Sequence, residues 1–303
     1  MPIVAAAPPQ QIPGGGGFDY VTVGAAHRRF YAAHGGASSL LVVDADTGKV
    51  LGQVKVGPMA GVAVDPANGH VFTGDGDDKA ISEVDPVTLK EIHRISVSGP
   101  VDAIAYDPTL HRIYGDEDDG TQIFVIDSNT FKQIGSIPLP GHKPEYLQLN
   151  PKTHEIYQNI ANMSEIAVID PQTLKVARTI ATPEIKNNHP LQYDAAHDEL
   201  IVGGENNALS LYKTDGTKLQ TLPFPTRMDQ CDLDEATGMI ACAAGGELTM
   251  LETDGKSLKI IGQTTISKGV HTTAIDPKTG NVFVVWGDKA TGNSYMQEFK
   301  VTP

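Results

Sequence analysis

The sequence is poor in cysteine, tryptophan and positive charge. Its 303 residues include two cysteines and one tryptophan, and 23 lysines and arginines stand against 37 aspartates and glutamates, a formal charge of −14. Two cysteines are too few for a disulfide framework or a cysteine-rich zinc site. An acidic chain repels phosphate backbones unless it carries a basic patch. The sequence shows no such patch, so we expect no nucleic-acid partner.

Long apolar runs and familiar catalytic motifs are also missing. No apolar run approaches the roughly 18 residues of a membrane-spanning helix, so we expect no membrane partner. The chain has no Walker A sequence, no G-x-S-x-G and no H-E-x-x-H. Residues 1–17 lack the charged start and apolar core of a signal peptide, which leaves a cytoplasmic protein or a mature exported form with its leader removed.

What the sequence does contain is an internal repeat. The segment GVAVDPANGHVF (61–72) returns as AIAYDPTLHRIY (103–114) and YLQLNPKTHEIY (146–157), and more loosely three times afterwards. Each copy holds four β-branched runs separated by glycine, proline and aspartate, at a period of about 42 residues, and this pattern is typical of propeller blades. The copies are anchored on Gly24, Asp65, Asp107, Asn150, Asp194, Asp234 and Asp276.

Seven copies predict one all-β domain over residues 1–303, a seven-bladed β-propeller with four antiparallel strands in each blade. The last copy shows three strands after residue 270, whereas residues 2–13 stand where a fourth strand would precede blade one. We therefore expect residues 2–13 to close the ring as the outer strand of blade seven. Closure removes exposed sheet edges, and we expect a monomer.

The outer turns carry a second recurring piece: VVDADTGK (42–49), EVDPVTLK (83–90), VIDSNTFK (125–132) and VIDPQTLK (168–175). Together with the strand–Asp-Pro segments, these pieces resemble the YVTN type of propeller repeat, and the whole chain resembles the YncE-like proteins of bacteria. The resemblance implies the seven-bladed fold and export to the periplasm. It says little about activity, because one fold can support many unrelated functions and the function depends on the residues of the site.

The repeat alignment also predicts a ring of side chains around the axis. The residues five positions before the seven anchors are Asp19, Ala60, Asp102, Glu145, His189, Asp229 and His271. Carboxylates that converge on one axis repel each other, so either their pKa values rise or a cation neutralises them. We expect a divalent metal held by His189, His271, Asp229, Asp19 and Glu145. Histidine with carboxylate favours zinc, manganese or iron over calcium.

A metal in that ring would polarise a carbonyl group or generate hydroxide near neutral pH. Glu145 or Asp102 would then act as general base, Arg227 would bind an anionic group, and His34 and His142 would shape the mouth. This set predicts a small-molecule enzyme, either a hydrolase of the lactonase kind or a lyase. The alternative is a noncatalytic periplasmic binding or scaffold propeller whose polar mouth is simply solvated. A register slip of one residue would turn these side chains away.

Two further features bear on the same region. The acidic loops DGDD (75–78) and DEDD (116–119) do not match a calcium-binding EF-hand, and we expect them to be solvated. A hairpin that pairs Leu233 with Ile240 also places Cys231 opposite Cys242, within reach of a disulfide. Two buried thiols are the simpler expectation, and the bridge stays open.

Overall fold

Seven antiparallel sheets repeat around a central axis in the computed structural model, which describes residues 1–301. Six sheets have four strands, and the seventh has five because two N-terminal strands join it. The predicted all-β, seven-bladed propeller is thereby confirmed. The expected domain span of 1–303 ends on two residues that lie outside the described range.

Each of blades one to three runs from an inner strand at the axis to an outer strand at the rim. Blade one contains β3 (Val21–Gly24), β4 (Arg29–His34), β5 (Ser39–Asp44) and β6 (Val50–Lys55). Blade two contains β7 (Met59–Val64), β8 (Val71–Asp75), β9 (Ala80–Asp85) and β10 (Lys90–Ser96). Blade three contains β11 (Val101–Asp107), β12 (Arg112–Glu117), β13 (Gln122–Asp127) and β14 (Lys132–Pro138).

Blades four to six repeat the same order. Blade four contains β15 (Pro144–Leu149), β16 (Ile156–Ile160), β17 (Glu165–Asp170) and β18 (Lys175–Ala181). Blade five contains β19 (Asn188–Asp194), β20 (Glu199–Gly204), β21 (Ala208–Lys213) and β22 (Lys218–Pro223). Blade six contains β23 (Gln230–Asp234), β24 (Met239–Ala244), β25 (Glu247–Thr253) and β26 (Leu258–Thr265). Single-turn 3₁₀ helices follow β4 and β16 at Gly35–Ala37 and Ala161–Met163.

Blade seven joins the two ends of the chain. It contains β27 (Val270–Ile275), β28 (Val282–Asp288) and β29 (Asn293–Val301), and the N-terminal strands β1 (Ile3–Ala5) and β2 (Gln10–Ile12) pair antiparallel with β29. The predicted closing strand is confirmed, as two short strands rather than one.

The recurring anchor residue, an aspartate or asparagine in six of the seven copies, closes the turn that follows the inner strand. In six copies the anchor carboxylate or amide accepts a hydrogen bond from the backbone N–H two residues later, and the Asp65 Oδ1 to Ala67 N distance of 2.8 Å is representative. Such a side chain closes the tight turn between inner and second strands. Histidines on this face pair with anchors: His154 Nδ1 lies 2.8 Å from Asp107 Oδ2.

The core lies between neighbouring blades. The two middle strands of each blade are buried on both faces, as in β8, where all five residues are buried, because each sheet is sandwiched by the next. The outer strands are largely exposed, as in β10. Blade seven packs on blade one through the stacked rings of Phe30 and Phe283, whose centroids are 4.9 Å apart.

The two cysteines form a disulfide. Cys231 of β23 pairs directly with Cys242 of β24, in the register that also pairs Leu233 with Ile240. Both cysteines are 1% exposed. The simpler expectation of two free thiols is therefore wrong, because the cross-strand register places the two side chains face to face in the core. Within residues 1–301, no helix is long and apolar enough to cross a membrane.

Candidate functional site

The innermost strands carry irregularities at the positions of the predicted ring. The pairing of inner and second strands shifts register at these positions in blades two, three, four, five and seven. In blades one and six the ring residues lie just before the regular strand: Asp229 is one residue before β23, and Asp19 is two residues before β3. A bulge re-aims the side chain that it carries. Tyr146, next to Glu145, has φ of +60°, a left-handed backbone conformation that is uncommon for an aromatic residue.

All seven ring residues line one cavity of about 340 Å³, together with Tyr20 and Asp118. We call it the ring cavity. The side chains that the repeat alignment predicts to meet do lie together, and they include His189, Asp229 and His271 from three consecutive blades.

His189 lies between two carboxylates of the ring cavity. Its Nε2 is 3.5 Å from Glu145 Oε2 and 3.6 Å from Asp229 Oδ1. Its Nδ1 is buried and has no hydrogen-bond partner among the described residues. A proton on Nδ1 would be a buried donor without an acceptor, so the neutral ring carries its proton on Nε2, facing the carboxylates.

His271 is held on both sides by the backbone. Its Nδ1 lies 2.9 Å from the Gly269 carbonyl oxygen, and its Nε2 lies 2.8 Å from the Phe18 carbonyl oxygen. Carbonyl oxygens only accept, so both contacts are hydrogen bonds only when both ring nitrogens carry protons. A metal at His271 would have to displace one of these two carbonyls.

The carboxyl groups of the ring cavity are poorly solvated. Burial is the largest effect on each: it raises the pKa of Asp19 to about 6, that of Glu145 to about 8, and that of Asp102 well above its ordinary value. The nearby imidazole of His271 lowers the pKa of Asp19 and so offsets part of the effect of burial. The negative charge of Asp19 in turn raises the pKa of Glu145 and of Asp102. The cavity thus holds more carboxyl groups than it can ionise at neutral pH without a cation.

Polar neighbours orient two of these carboxyls. The Tyr20 hydroxyl donates to Asp102 Oδ2 at 3.3 Å, and the Gln230 amide donates to Asp19 Oδ1 at 2.8 Å. Gln230 in turn accepts through Oε1 from the Thr272 hydroxyl at 2.5 Å, which fixes the direction of its amide. These contacts hold the carboxyls in place before any ligand binds.

Two tyrosines lie next to each other below the ring: Tyr20 lines the ring cavity, and Tyr146 lines the neighbouring cavity. The rings of Tyr20 and Tyr146 meet edge to face with centroids 5.0 Å apart, and the Tyr146 hydroxyl donates to the Cys231 carbonyl at 3.0 Å. Beyond them lies a separate cavity of about 280 Å³ whose lining includes Gln192 and Asp232.

The remaining predicted site residues lie outside the ring cavity. Arg227 is exposed, lines a neighbouring cavity and places NH2 2.5 Å from Glu205 Oε1. His142 is exposed and does not line either cavity. His34 is fully buried against Phe18, with Nε2 2.9 Å from the Gly15 carbonyl, and burial lowers its pKa. It supports the glycine-rich segment instead of shaping the mouth.

The acidic loops differ from the expectation that they are solvated. Asp75 and Asp116 are fully buried, because β8 and β12 extend through these residues before the loops begin. Asp116 accepts from the Ala103 N–H and the Gln158 amide at 2.7 and 2.9 Å, directly behind the ring. Asp118 enters the ring cavity itself. β8 covers the first residue of DGDD and β12 the first two residues of DEDD, and the sequence pattern does not show these strand ends.

The ring cavity does not present a ready-made metal site. In residues 1–301, no group of three or more histidine, cysteine, aspartate or glutamate side chains is arranged to hold a metal ion. The shortest approach to one is His189 with Glu145 and Asp229.

Known structures share the fold of this chain. No family model and no curated protein matches it. A chain of the Kuenenia stuttgartiensis hydrazine synthase is 16% identical, covers 95% of this chain and 96% of its own length, and superposes with a TM-score of 0.80. A chain of a mitotic checkpoint complex is 12% identical over 99% and 92%, with a TM-score of 0.83. At these identities the likeness shows the seven-bladed propeller alone.

Proposed function

We propose that this protein is a small-molecule enzyme of the YncE-like kind, a metal-dependent hydrolase or lyase whose reaction takes place in the ring cavity. One observation carries the proposal. Six ionisable side chains from equivalent repeat positions line a single cavity, and burial raises the pKa of at least three of its carboxyl groups. Strongly perturbed groups in a concave site are typical of catalytic centres.

A divalent cation would relieve the unfavourable charge in this cavity. Two ligands bound to one tetrahedral zinc ion at about 2.1 Å are about 3.4 Å apart. His189 Nε2 lies 3.5 and 3.6 Å from the oxygens of Glu145 and Asp229, close to that separation. Metal binding through Nε2 would move the imidazole proton to Nδ1, which is buried without an acceptor among the described residues, so the imidazole would have to shift. Asp19 stands across the same cavity, whereas His271 would first have to leave a carbonyl. Zinc, manganese or iron suits this donor set better than calcium.

The carboxyl groups supply proton transfer. A general acid or base works best when its pKa lies near the working pH, and the pKa of Glu145 is raised to about 8 by burial. Glu145 serves either as metal ligand or as base, with Asp102 taking the base role in the first case. The bound metal supplies polarisation of a carbonyl group or a hydroxide near neutral pH.

A periplasmic location is part of the proposal. Disulfides persist in oxidising compartments and are rare in the cytosol, and the buried Cys231–Cys242 bridge fits such a compartment. The outer-turn pieces from VVDADTGK to VIDPQTLK support the YncE-like relationship.

Metal analysis tests the proposal. Protein purified without a histidine tag is analysed for metal content and then titrated, after chelation and dialysis, with zinc, manganese, ferrous iron and calcium. We expect binding near one ion per chain with proton release, because metal ligands must deprotonate. His189→Ala should abolish it, whereas the exposed control His111→Ala should retain it. Less than about 0.2 metal per chain, with no thermal stabilisation by any of the four ions, contradicts the proposal.

The second candidate is a noncatalytic binding or scaffold propeller. The observation that favours it is the backbone lock on His271, which removes one of two imidazoles from metal binding. In that case the carboxyl groups would bind a cationic small molecule directly. Absence of metal binding, together with stabilisation by organic cations such as spermidine, separates this candidate from the enzyme.

A further inference from the structure

A larger cavity adjoins the ring cavity on the side of blades six and seven. It measures about 700 Å³ and shares Asp229 and His271 with the ring cavity. We call it the glycine cavity. Its remaining lining consists of Gly16, Gly17, Arg227, Gly245, Lys268, Gly269, Val270, Gly287, Asp288, Lys289 and Gly292. The volume lies within the range of small-molecule sites.

Three cationic side chains border the glycine cavity. Arg227, Lys268 and Lys289 come from separate loops of blades six and seven. Lys268 and Lys289 make no ion pair with any carboxylate in the part of the chain that the structure describes. Arg227 pairs with Glu205 through NH2, so Lys268 and Lys289 supply the unpaired positive charge at this opening of a chain whose net charge is −14.

The two acidic residues of the lining make their contacts with groups other than these lysines. Asp288 is engaged in its own turn, where its carboxylate accepts from the Ala290 N–H and the Thr291 hydroxyl, both at 2.9 Å. Asp229 faces His189 in the ring cavity, with its Oδ1 3.6 Å from Nε2. Each lining carboxylate therefore points to a partner of its own.

The wall of the glycine cavity is made of peptide backbone. A Cβ atom on Gly269 would lie 2.1 Å from the Gly287 carbonyl oxygen, and one on Gly287 would lie 2.4 Å from the Gly16 carbonyl oxygen. The three backbone segments at Gly16, Gly269 and Gly287 lie too close together to leave room for a side chain between them. A ligand in the cavity would therefore lie within reach of their peptide groups. Gly17 differs, because a Cβ there meets no atom within 4 Å.

We propose that the glycine cavity binds the anionic group of a small molecule, a carboxylate or a phosphate. Lys268 and Lys289 offer unpaired point charges, and Arg227, whose NH2 already pairs with Glu205, adds a planar guanidinium at the rim. The shared residues Asp229 and His271 connect this anion site to the ring cavity. The proposal rests on the proposed function only in placing the rest of the molecule, its reacting part, at the ring.

Anion titration of metal-free protein tests the assignment. After chelation and dialysis, the protein is titrated calorimetrically at low ionic strength with inorganic phosphate and, separately, with succinate. We expect saturable binding of at least one of them. Phosphate alone indicates a phosphorylated ligand, and succinate alone indicates a carboxylate. The double variant Lys268→Gln/Lys289→Gln should raise Kd at least about tenfold, since two charge-assisted contacts to the anion are lost.

Two matched controls accompany the titration. Lys90→Gln/Lys175→Gln removes the same charge from exposed positions on outer strands and should leave Kd unchanged. Gly17→Leu should block binding by filling the cavity, whereas Gly76→Leu, on the DGDD loop with no left-handed φ, should not. The proposal is overturned if neither anion binds, if both lysine doubles weaken binding equally, or if Gly17→Leu binds like the wild type. Because no metal is present, these results are independent of the metal analysis.

Discussion

At the scale of single residues, burial controls the acidity of the ring cavity more than any neighbouring charge does. It is the largest cause of the raised pKa of Asp19, Asp102 and Glu145. A carboxyl group with a raised pKa in the folded chain holds its proton more tightly when folded. Its contribution to stability is therefore present below its unfolded pKa and is lost as the pH rises through its folded pKa.

Glu145→Gln tests this relation. The folded pKa of about 8 lies above the ordinary value of 4.5, so the wild type loses stability between these two pH values. The glutamine variant has no such loss and should be more stable than the wild type at pH 9, by up to about 5 kcal/mol at about 1.4 kcal/mol per pKa unit. The two proteins should be equally stable near pH 4. Denaturant unfolding at several pH values measures the difference.

Asp77→Asn is the control for that comparison. Asp77 is exposed on the same face of the ring, and its replacement should not change the pH profile of stability. If the free energies of unfolding of the wild type and Glu145→Gln change in parallel from pH 4 to pH 9, the carboxyl group of Glu145 does not have a raised pKa.

Repeat position alone predicts which residues meet at the axis, but not what each one contacts. The spacing of five residues before each anchor identifies seven of the nine residues that line the ring cavity, and misses Tyr20 and Asp118. It cannot show that His271 is held by the Phe18 and Gly269 carbonyls, because those oxygens come from loops whose path is not encoded in any spacing. His34 is buried for the same reason: the segment at Gly15 folds over it.

At the scale of strands and turns, the anchor residues are predictable because each makes a hydrogen bond within its own turn. The side chain of an aspartate or asparagine accepts from the backbone N–H two residues later and thereby favours a tight turn. The bulges are not predictable from the pattern, since alternation of side chains assumes a regular strand. The shift between Glu145 and Leu147, with Tyr146 at φ +60°, is visible only in the pairing.

The Cys231–Cys242 bridge gives a prediction at this scale. Closing a loop of 11 residues restricts the unfolded chain, so the double variant Cys231→Ala/Cys242→Ala should lose about 2–3 kcal/mol. Denaturant unfolding of the variant measures the loss.

Mass spectrometry checks the bridge directly. Denatured protein should gain about 2 Da on reduction, because two thiols replace one disulfide. No mass change, or full alkylation of both cysteines before any reductant is added, would contradict the bridge.

At the scale of the whole molecule, two separate sets of contacts between blades seven and one close the ring. Ile12 of β2 is 1% exposed and packs with Phe18 and Met296 where blades seven and one meet. On the opposite face Arg28 of blade one forms two hydrogen bonds, at 2.5 and 2.7 Å, with the buried carboxylate of Asp276 after β27. Closure therefore joins the first and last blades without a covalent link.

Ile12→Ala tests how much this closure stabilises the ring. Truncation of a buried isoleucine leaves a cavity and should cost about 2–4 kcal/mol. The control Val4→Ala truncates a residue of β1 that is 54% exposed and should change stability by less than about 0.5 kcal/mol. Thermal and denaturant unfolding of both variants measure the costs. Equal effects would mean that β2 does not carry the closure.

The pairing of β1 with β29 also sets an order of events during folding. Ile3 pairs with Val301, so β1 must wait until β29 has been synthesised before their sheet can be completed. Contacts of such long sequence separation form slowly, because most of the chain must be ordered first. Until that moment blade seven has an unpaired edge, which is the surface through which nascent chains associate with one another. Slow translation of the codons for β29 would prolong this exposure.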